Sequence, residues 1–310
     1  MKKIINPISP SVLEKEINKD AFVRKTNYCN HYIYIVDYQN HPNTTMEIGR
    51  LRELSFRNAG GGTGKSYDLD EFDTREEAFY KQLIVWDPEE KKIIGGYRFI
   101  LGNDVISSSK YNNTATNNLF DFSTDFYSKT LGLTIELGRS FVQPEYQPSS
   151  GNRKAIFSLD NLWDGLGALV VDHPEIKYFF GKVTMYLDFN KKGRDLILGF
   201  MNHFFKDKEQ WISAKQPLEL HHDISYFIEQ IQELDYKESY KILTKKLKEL
   251  NCSLPPLIAA YMNLSSSMKT FGTAMNSKFG DVEETGILIS INEIYPEKKD
   301  RHVNTYKKVK

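Results

Sequence analysis

Short apolar runs alternate along the chain with polar, turn-rich segments, and the period of each run predicts its element. HYIYIVDY, His31 to Tyr38, is rich in β-branched and aromatic residues and stops at a polar HPNTT turn, which predicts a strand. In MEIGRLRELSFRN the positions Met46, Ile48, Leu51, Leu54 and Phe56 recur near helical spacing while Arg50, Glu53 and Arg57 fall elsewhere, so an amphipathic helix is expected. QLIVWD and KKIIGGYRFIL flank a polar PEEK and predict an antiparallel hairpin from Gln82 to Leu101, followed by a long loop from Asn103 to Asn118. Next come a strand at Leu133 to Val142, a helix at Ala155 to Asp172, a buried strand in IKYFFGKVTMY and a helix from Lys192 to Phe205. A Lys/Glu-rich helical stretch from Ser225 to Leu250, a short helix opened by Pro255 and Pro256, and a last strand in ETGILISINEI complete the order. This order predicts a mixed sheet with helices on its faces. It forms one domain over residues 1–310, with a helical insertion at about 207–254 before the last helix and strand.

Composition narrows the function more by what it excludes. Forty-one basic and 41 acidic side chains cancel, so no whole-molecule field draws in nucleic acid or an anionic membrane. Cys29 and Cys252 lie far apart in the sequence, which points to a reducing compartment rather than a disulfide framework. The start, MKKIINPISPSVLEKEI, has no apolar run of signal-peptide length, and the chain reads as cytoplasmic. His221, His222 and Asp223 read as a solvated turn, because adjacent histidines point apart and no further ligand stands near; no metal site is expected.

The stretch AGGGTGKS, Ala59 to Ser66, resembles a phosphate-binding loop in spacing. Such a loop follows a buried strand, whereas this one follows a charged helix and precedes YDLDEFD, whose acids would repel a polyphosphate. A glycine hinge between the helix and the hairpin is the expectation.

Charges also occur where they are costly. Arg98 interrupts IIGGYRFIL, and Glu136 and Arg139 interrupt TIELGRSFV, in strands otherwise apolar enough to be central. Asp70, Asp73 and Arg52 complete a set of three acids and three bases that could neutralise one another, either as an ion network orienting the N-terminal helix or as a site. Strand alternation puts Glu136 and Gly138 on one face and Arg139 on the other, unless a bulge at Leu137 and Gly138 brings Glu136 and Arg139 together and exposes backbone N–H groups.

The succession LRELSF, DEFD, GGYRFIL, IELGRSFVQPEY, LDNLWDGLGALV, KYFFGKVTMY, PPLIAAYMNL and FGDVEETGILI spans nearly the whole chain. It resembles the GNAT superfamily of N-acyltransferases, in the branch of hemolysin-like and ornithine or glycine acyl-carrier-protein N-acyltransferases. More distantly it resembles the acyl-homoserine-lactone synthases. The likeness is greatest to Bacteroidetes proteins of glycine lipid synthesis, which share the AGGGTGKS feature. It implies a GNAT-like α/β (α+β) fold with a mixed, mostly antiparallel central sheet flanked by helices. It also implies transfer of a fatty acyl chain, 3-hydroxylated in that branch, from acyl carrier protein to the α-amine of glycine or a similar amino acid. Acyl-ACP or acyl-CoA would then be a co-substrate with no tightly bound cofactor, and a peripheral membrane contact would serve product release. Two other readings stay open: a GNAT enzyme using acyl-CoA on another amine, and a non-catalytic lipid- or protein-binding member.

Position by position, the lactone-synthase pattern carries over to Arg52 and Phe56, Asp70 and Asp73, Arg98, and Glu136 with Arg139, the cluster beside the amino substrate. An amine attacking a thioester needs a base, an oxyanion donor and a proton for the thiolate. The resemblance offers Glu136 as base or ammonium anchor, a bulge N–H near Ser140 or Phe141 as oxyanion donor, and Tyr186 as acid. Trp163 is core or acyl-tunnel wall. The pyrophosphate loop survives only as Gln147 to Arg153 with Gly151, which suits a single phosphate better than coenzyme A. Arg153 and Lys154, with Lys191, Lys192 and Arg194, sit at helix starts where cations are unfavourable, and an acidic carrier protein docking there would account for them.

Overall fold

The computed structural model describes residues 1–308. Its strands are β1 (Phe22–Lys25), β2 (Tyr32–Val36), β3 (Lys81–Asp87), β4 (Lys92–Leu101), β5 (Phe120–Phe122), β6 (Thr134–Val142), β7 (Tyr178–Met185), β8 (Ile212–Ala214), β9 (Lys269–Asn276) and β10 (Val282–Ser290). Its helices are α1 (Pro10–Glu16), α2 (Pro42–Asn58), α3 (Glu71–Thr74), α4 (Gly102–Ser107), α5 (Ser158–Asp172), α6 (Lys191–Phe205), α7 (Ser225–Ile231), α8 (Tyr236–Glu249), α9 (Pro256–Met262) and α10 (Pro296–His302).

Eight strands form one sheet in the order β1-β2-β3-β4-β6-β7-β10-β9, and β5 pairs with β8 beside it. Neighbours in the large sheet run antiparallel except β6 and β7, which are parallel. The mixed sheet expected from the order of elements is therefore present, and it is mostly antiparallel, as the resemblance implies. One face carries the largest apolar core, where Leu83, Ile135 and Val183 meet Leu162 and Leu166 of α5 and Ile197 and Phe200 of α6. The other face carries two smaller cores: one gathers Ile84, Trp86 and Phe141 with Ile48, Leu51 and Phe56 of α2, and the other gathers Ile100, Phe180 and Leu288 with Phe120 of β5.

Helix α2 begins earlier than its apolar spacing suggests. Pro42 occupies its first turn, where no donor is needed, and the exposed amides of Asn43 and Thr44 donate to the Glu16 carboxylate of α1 at 3.1 and 2.7 Å. HPNTT is thus a helix start, not a turn. The expected loop at 103–118 contains α4 and a 3-10 turn at Ala115–Asn118, because Val105 and Ala115 are buried. Asp235, accepting from the Glu238 amide at 2.8 Å, caps α8 and divides the 225–250 stretch in two. Two strands close the sheet instead of one: KTFGTAMN forms β9, with Gly272 at φ 85° beside a register shift against β10.

Candidate active site

Strands β6 and β7 pair for only four residues, Thr134–Leu137 against Tyr178–Gly181. At that point β6 also changes step against β4: Arg98 lies opposite Gly138, yet Gly96 lies opposite Phe141. Two positions of β6, Arg139 and Ser140, thus fill a space matched by Tyr97 alone, which is a β-bulge. Arg139 takes the left-handed conformation, φ 49°. The bulge falls at Arg139 and Ser140, one turn of the pleat past the expected Leu137 and Gly138.

Local chemistry then brings the acids to it. DEFD folds as a capping box: the Asp70 side chain accepts from the Phe72 amide at 3.0 Å, and Asp73 accepts from the Asp70 amide at 3.2 Å. Arg98 Nη1 reaches both Asp70 oxygens at 2.9 Å and Asp73 at 3.2 Å, while Arg52 Nη1 meets Asp73 at 3.3 Å. Arg139 pairs with Asp68 at 2.8 Å, lies 3.9 Å from Asp70, and places its guanidinium 4.0 Å over the Phe279 ring. Burial opposes the charge on Asp70, but Arg98 and Arg139 overcome it and hold that carboxyl well below the usual range. Burial also disfavours the Arg98 charge, yet Asp70 and Asp73 push the guanidinium above its ordinary value. Asp68, enclosed completely, is instead pushed up by burial despite Arg139.

The network therefore has three bases and three acids, but its third acid is Asp68, not Glu136. Glu136 is 2% exposed and meets no arginine: Oε1 accepts from the Tyr80 hydroxyl at 2.8 Å and from the Thr116 amide and hydroxyl at 3.1 and 3.0 Å. Its other oxygen, Oε2, is buried without a partner, as is Arg98 Nε. Both residues line a polar cavity of about 60 Å³, shared with Arg139, Ser140, Lys182 and Glu284. A second, mostly apolar cavity of about 40 Å³ continues from it beneath α9, between Tyr97, Phe179, Leu257, Tyr261 and Ile287. Leu137, Gly138, Arg139 and Ser140 line both, so the bulge is their junction. The Arg-Asp network is formally neutral and Lys182 stands 3.6 Å from Glu284, which leaves Glu136 as the uncompensated formal charge of the polar cavity.

Among the other expected residues, Phe56 lines the polar cavity, edge-on to Phe279 at 4.9 Å. Phe141 is core under α2. Trp163 stands one layer behind the apolar cavity, its ring 5.8 Å from that of Tyr261. Tyr186 lines neither cavity and packs on the glycine stretch. Gly151, at φ 76°, ends a 3-10 turn, and Arg153 is exposed beside it. Lys154 is bound to Asp87 at 3.1 Å and Glu89 at 2.8 Å. Lys191 and Lys192 are exposed, but Arg194 is not a surface cation: it is 3% exposed and donates to Glu283 at 2.8 Å, Asp195 at 2.6 Å and the Glu219 carbonyl at 2.9 Å. His222 likewise meets Asp195 at 2.7 Å.

AGGGTGKS packs closely around a carboxylate. Glu53 of α2 inserts its carboxylate into the loop, accepting from the Thr63 amide and hydroxyl at 3.0 and 2.7 Å and from the Gly64 amide at 2.8 Å. The place a phosphate would take is filled from within. Gly60 and Gly62 both have φ 94°, and a Cβ on Gly61 would lie 2.9 Å from the Tyr186 ring, so the glycines permit the close packing of this loop.

Residues 51–155 match the acetyltransferase (GNAT) domain family. The chain is 50% identical over 307 residues to the glycine N(alpha)-acyltransferase of Bacteroides thetaiotaomicron, covering 99% of this chain and 91% of the relative. It is 49% identical over 309 residues to the protein of the same name from Phocaeicola vulgatus, covering 99% and 94%. Among solved structures it is similar to a CoA-dependent acyl-homoserine lactone synthase, BjaI, with SAM and isopentyl-CoA, at a TM-score of 0.40 and 9% identity over 89% of each chain.

Proposed function

The chain belongs to the glycine N(alpha)-acyltransferase family, and we propose accordingly that it transfers a fatty acyl group from a phosphopantetheine thioester to the α-amine of glycine. The observation that carries the reading is Glu136: a buried carboxylate with one oxygen unpartnered, beside the gap where β6 leaves β7. An ammonium entering the polar cavity meets the uncompensated charge there. Glu136 takes its proton, directly or through a water, the amine attacks a thioester carbonyl held at the bulge, and collapse of the tetrahedral intermediate breaks the C–S bond and releases the pantetheine thiolate, which takes up the proton held by Glu136. Arg139 and Ser140 share Tyr97 on β4 and have no partner residue on β7, and a backbone N–H of this bulge is assigned to receive the oxyanion. The apolar cavity beneath α9, about 40 Å³, receives the first carbons of the acyl chain.

We assign the donor to acyl carrier protein, with a 3-hydroxylated chain. The loop from Gln147 to Arg153 presents no glycine-rich cradle for a diphosphate, and Lys154 is already bound to Asp87 and Glu89. Purified protein given glycine and either acyl-ACP or acyl-CoA should form N-acylglycine, seen by mass spectrometry, with kcat/KM higher for acyl-ACP. Glu136→Gln should lower kcat roughly 10²- to 10⁴-fold while the melting temperature stays within a few degrees. Absence of product with both donors, or full activity of Glu136→Gln, would overturn the reading.

A further inference from the structure

An α-amino acid brings a carboxylate along with its amine, and a carboxylate is not buried without a cation or donors opposite. Three cations line the polar cavity: Arg98, Arg139 and Lys182. Arg98 commits Nη1 to Asp70 and Asp73, and Arg139 is held between Asp68 and the Phe279 ring. Lys182 is different. Its nearest carboxylate, Glu284, is 3.6 Å away, beyond hydrogen-bond reach, and already accepts from Asn276 Nδ2 at 3.1 Å.

Register fixes where Lys182 stands. Glu136 is opposite Phe180, so Lys182 lies two residues further along the same face of β7, a step of about 7 Å. That step matches two hydrogen bonds joined by the short body of an α-amino acid. The β6 residue next after the last paired one is Gly138, and a Cβ built there would meet nothing closer than Arg98 Nε at 3.5 Å. The polar cavity that Glu136 and Lys182 line runs past Gly138, and an unpartnered N–H donor borders it.

We propose that Lys182, seconded by Arg98 Nε, holds the carboxylate of the acceptor while Glu136 takes its ammonium, so that the enzyme selects α-amino acids over amines without a carboxylate. This rests on the acyltransferase reading above. Lys182 lies within KYFFGKVTMY but is none of the positions carried over from the lactone-synthase pattern, and Glu284 stands 3.6 Å from it.

Glycine and glycinamide separate the roles, since glycinamide keeps the α-amine and lacks the carboxylate; rates are compared per free amine at one pH. Wild type should prefer glycine by at least tenfold in kcat/KM. Lys182→Met should raise KM for glycine roughly ten- to hundredfold, leave kcat at saturating glycine within about threefold, and leave KM for the acyl donor unchanged. Its preference for glycine over glycinamide should collapse, and Lys182→Arg should restore it. A lysine that only supports the fold would shift both amines together and lower the melting temperature. Retained discrimination in Lys182→Met, with active protein, would overturn the assignment and leave the acyltransferase reading intact. A wild type that acylates neither amine would refute both.

Discussion

Removing the guanidinium of Arg139 tests the ion network most directly. Asp68 is 1% exposed and Arg139 14%, so Arg139→Ala leaves a carboxylate buried beside an empty place. Orphaning a buried partner costs about 3–5 kcal/mol, and loss of the contact with Phe279 adds about 0.5–2 kcal/mol. A net loss of about 4 kcal/mol corresponds to a melting temperature lowered by about 6 °C in a chain of 310 residues. Arg139→Gly should lose about 1 kcal/mol less than Arg139→Ala, because it relieves the left-handed backbone at φ 49°. Adding Asp68→Asn removes the orphaned charge, so the double variant should be more stable than the sum of the two single losses by about 2 kcal/mol. The pH dependence has a definite sign. Burial already raises the Asp68 carboxyl, and without Arg139 it rises further. A raised folded pKa gives stability that is complete below the unfolded value, about 4, and lost as pH climbs through the folded value. The gap between wild type and Arg139→Ala should therefore widen from pH 4 toward 8. Denaturant melts at four pH values measure all of this. A melting temperature within 2 °C of wild type, or strict additivity with Asp68→Asn, would refute the pairing.

Two further substitution sets address the parts of the sequence that resembled something else. Gly61→Ala should destabilise the fold by about 1–3 kcal/mol through its contact with the Tyr186 ring, while Lys65→Ala leaves melting and acyl transfer near wild type and calorimetry with magnesium and ATP shows no binding. Charge reversal at Lys191 and Lys192 should raise the apparent KM for acyl carrier protein and weaken its salt dependence, read from steady-state rates, without changing stability. Arg194→Ala should instead lower the melting temperature by several degrees, since it strands Glu283 and Asp195.

Strand and helix order was legible because most elements bury one face and show its period. β9 was missed: its run of Lys269, Thr270, Gly272, Thr273 and Asn276 is too polar and too interrupted to signal a strand, and its pairing with β10 is a tertiary fact. The site was half legible. A charge inside an apolar run marks a burial that needs a partner, and this picked out Arg98, Glu136 and Arg139. The same criterion, applied to KYFFGKVTMY and VEETGILI, would have found Lys182 and Glu284. Which charges pair was not legible, because pairing depends on a bulge and on a capping box that no spacing in the sequence joins. Asp68 was read only as one more acid in a repelling run, although its carboxylate holds Arg139. The filling of the glycine stretch was not legible for a related reason: the group that fills it, Glu53, comes from the preceding helix.

The bulge at Arg139 and Ser140 also changes the phase of its strand. Glu136 and Gly138 share a face, and simple alternation would send Phe141 to the opposite layer, yet Phe141 packs under α2 on the same side. The even-numbered positions before the bulge and the odd-numbered one after it thus read the same environment. Deleting one of the two bulged residues would restore an unbroken ladder with β4 and keep Phe141 opposite Gly96 on the α2 face, while removing the bulge where the two cavities meet. The opening at the centre of the sheet is thereby set by one extra residue that the packing of the N-terminal helix does not need, so length at this point should be under tighter constraint than the identity of either bulged side chain.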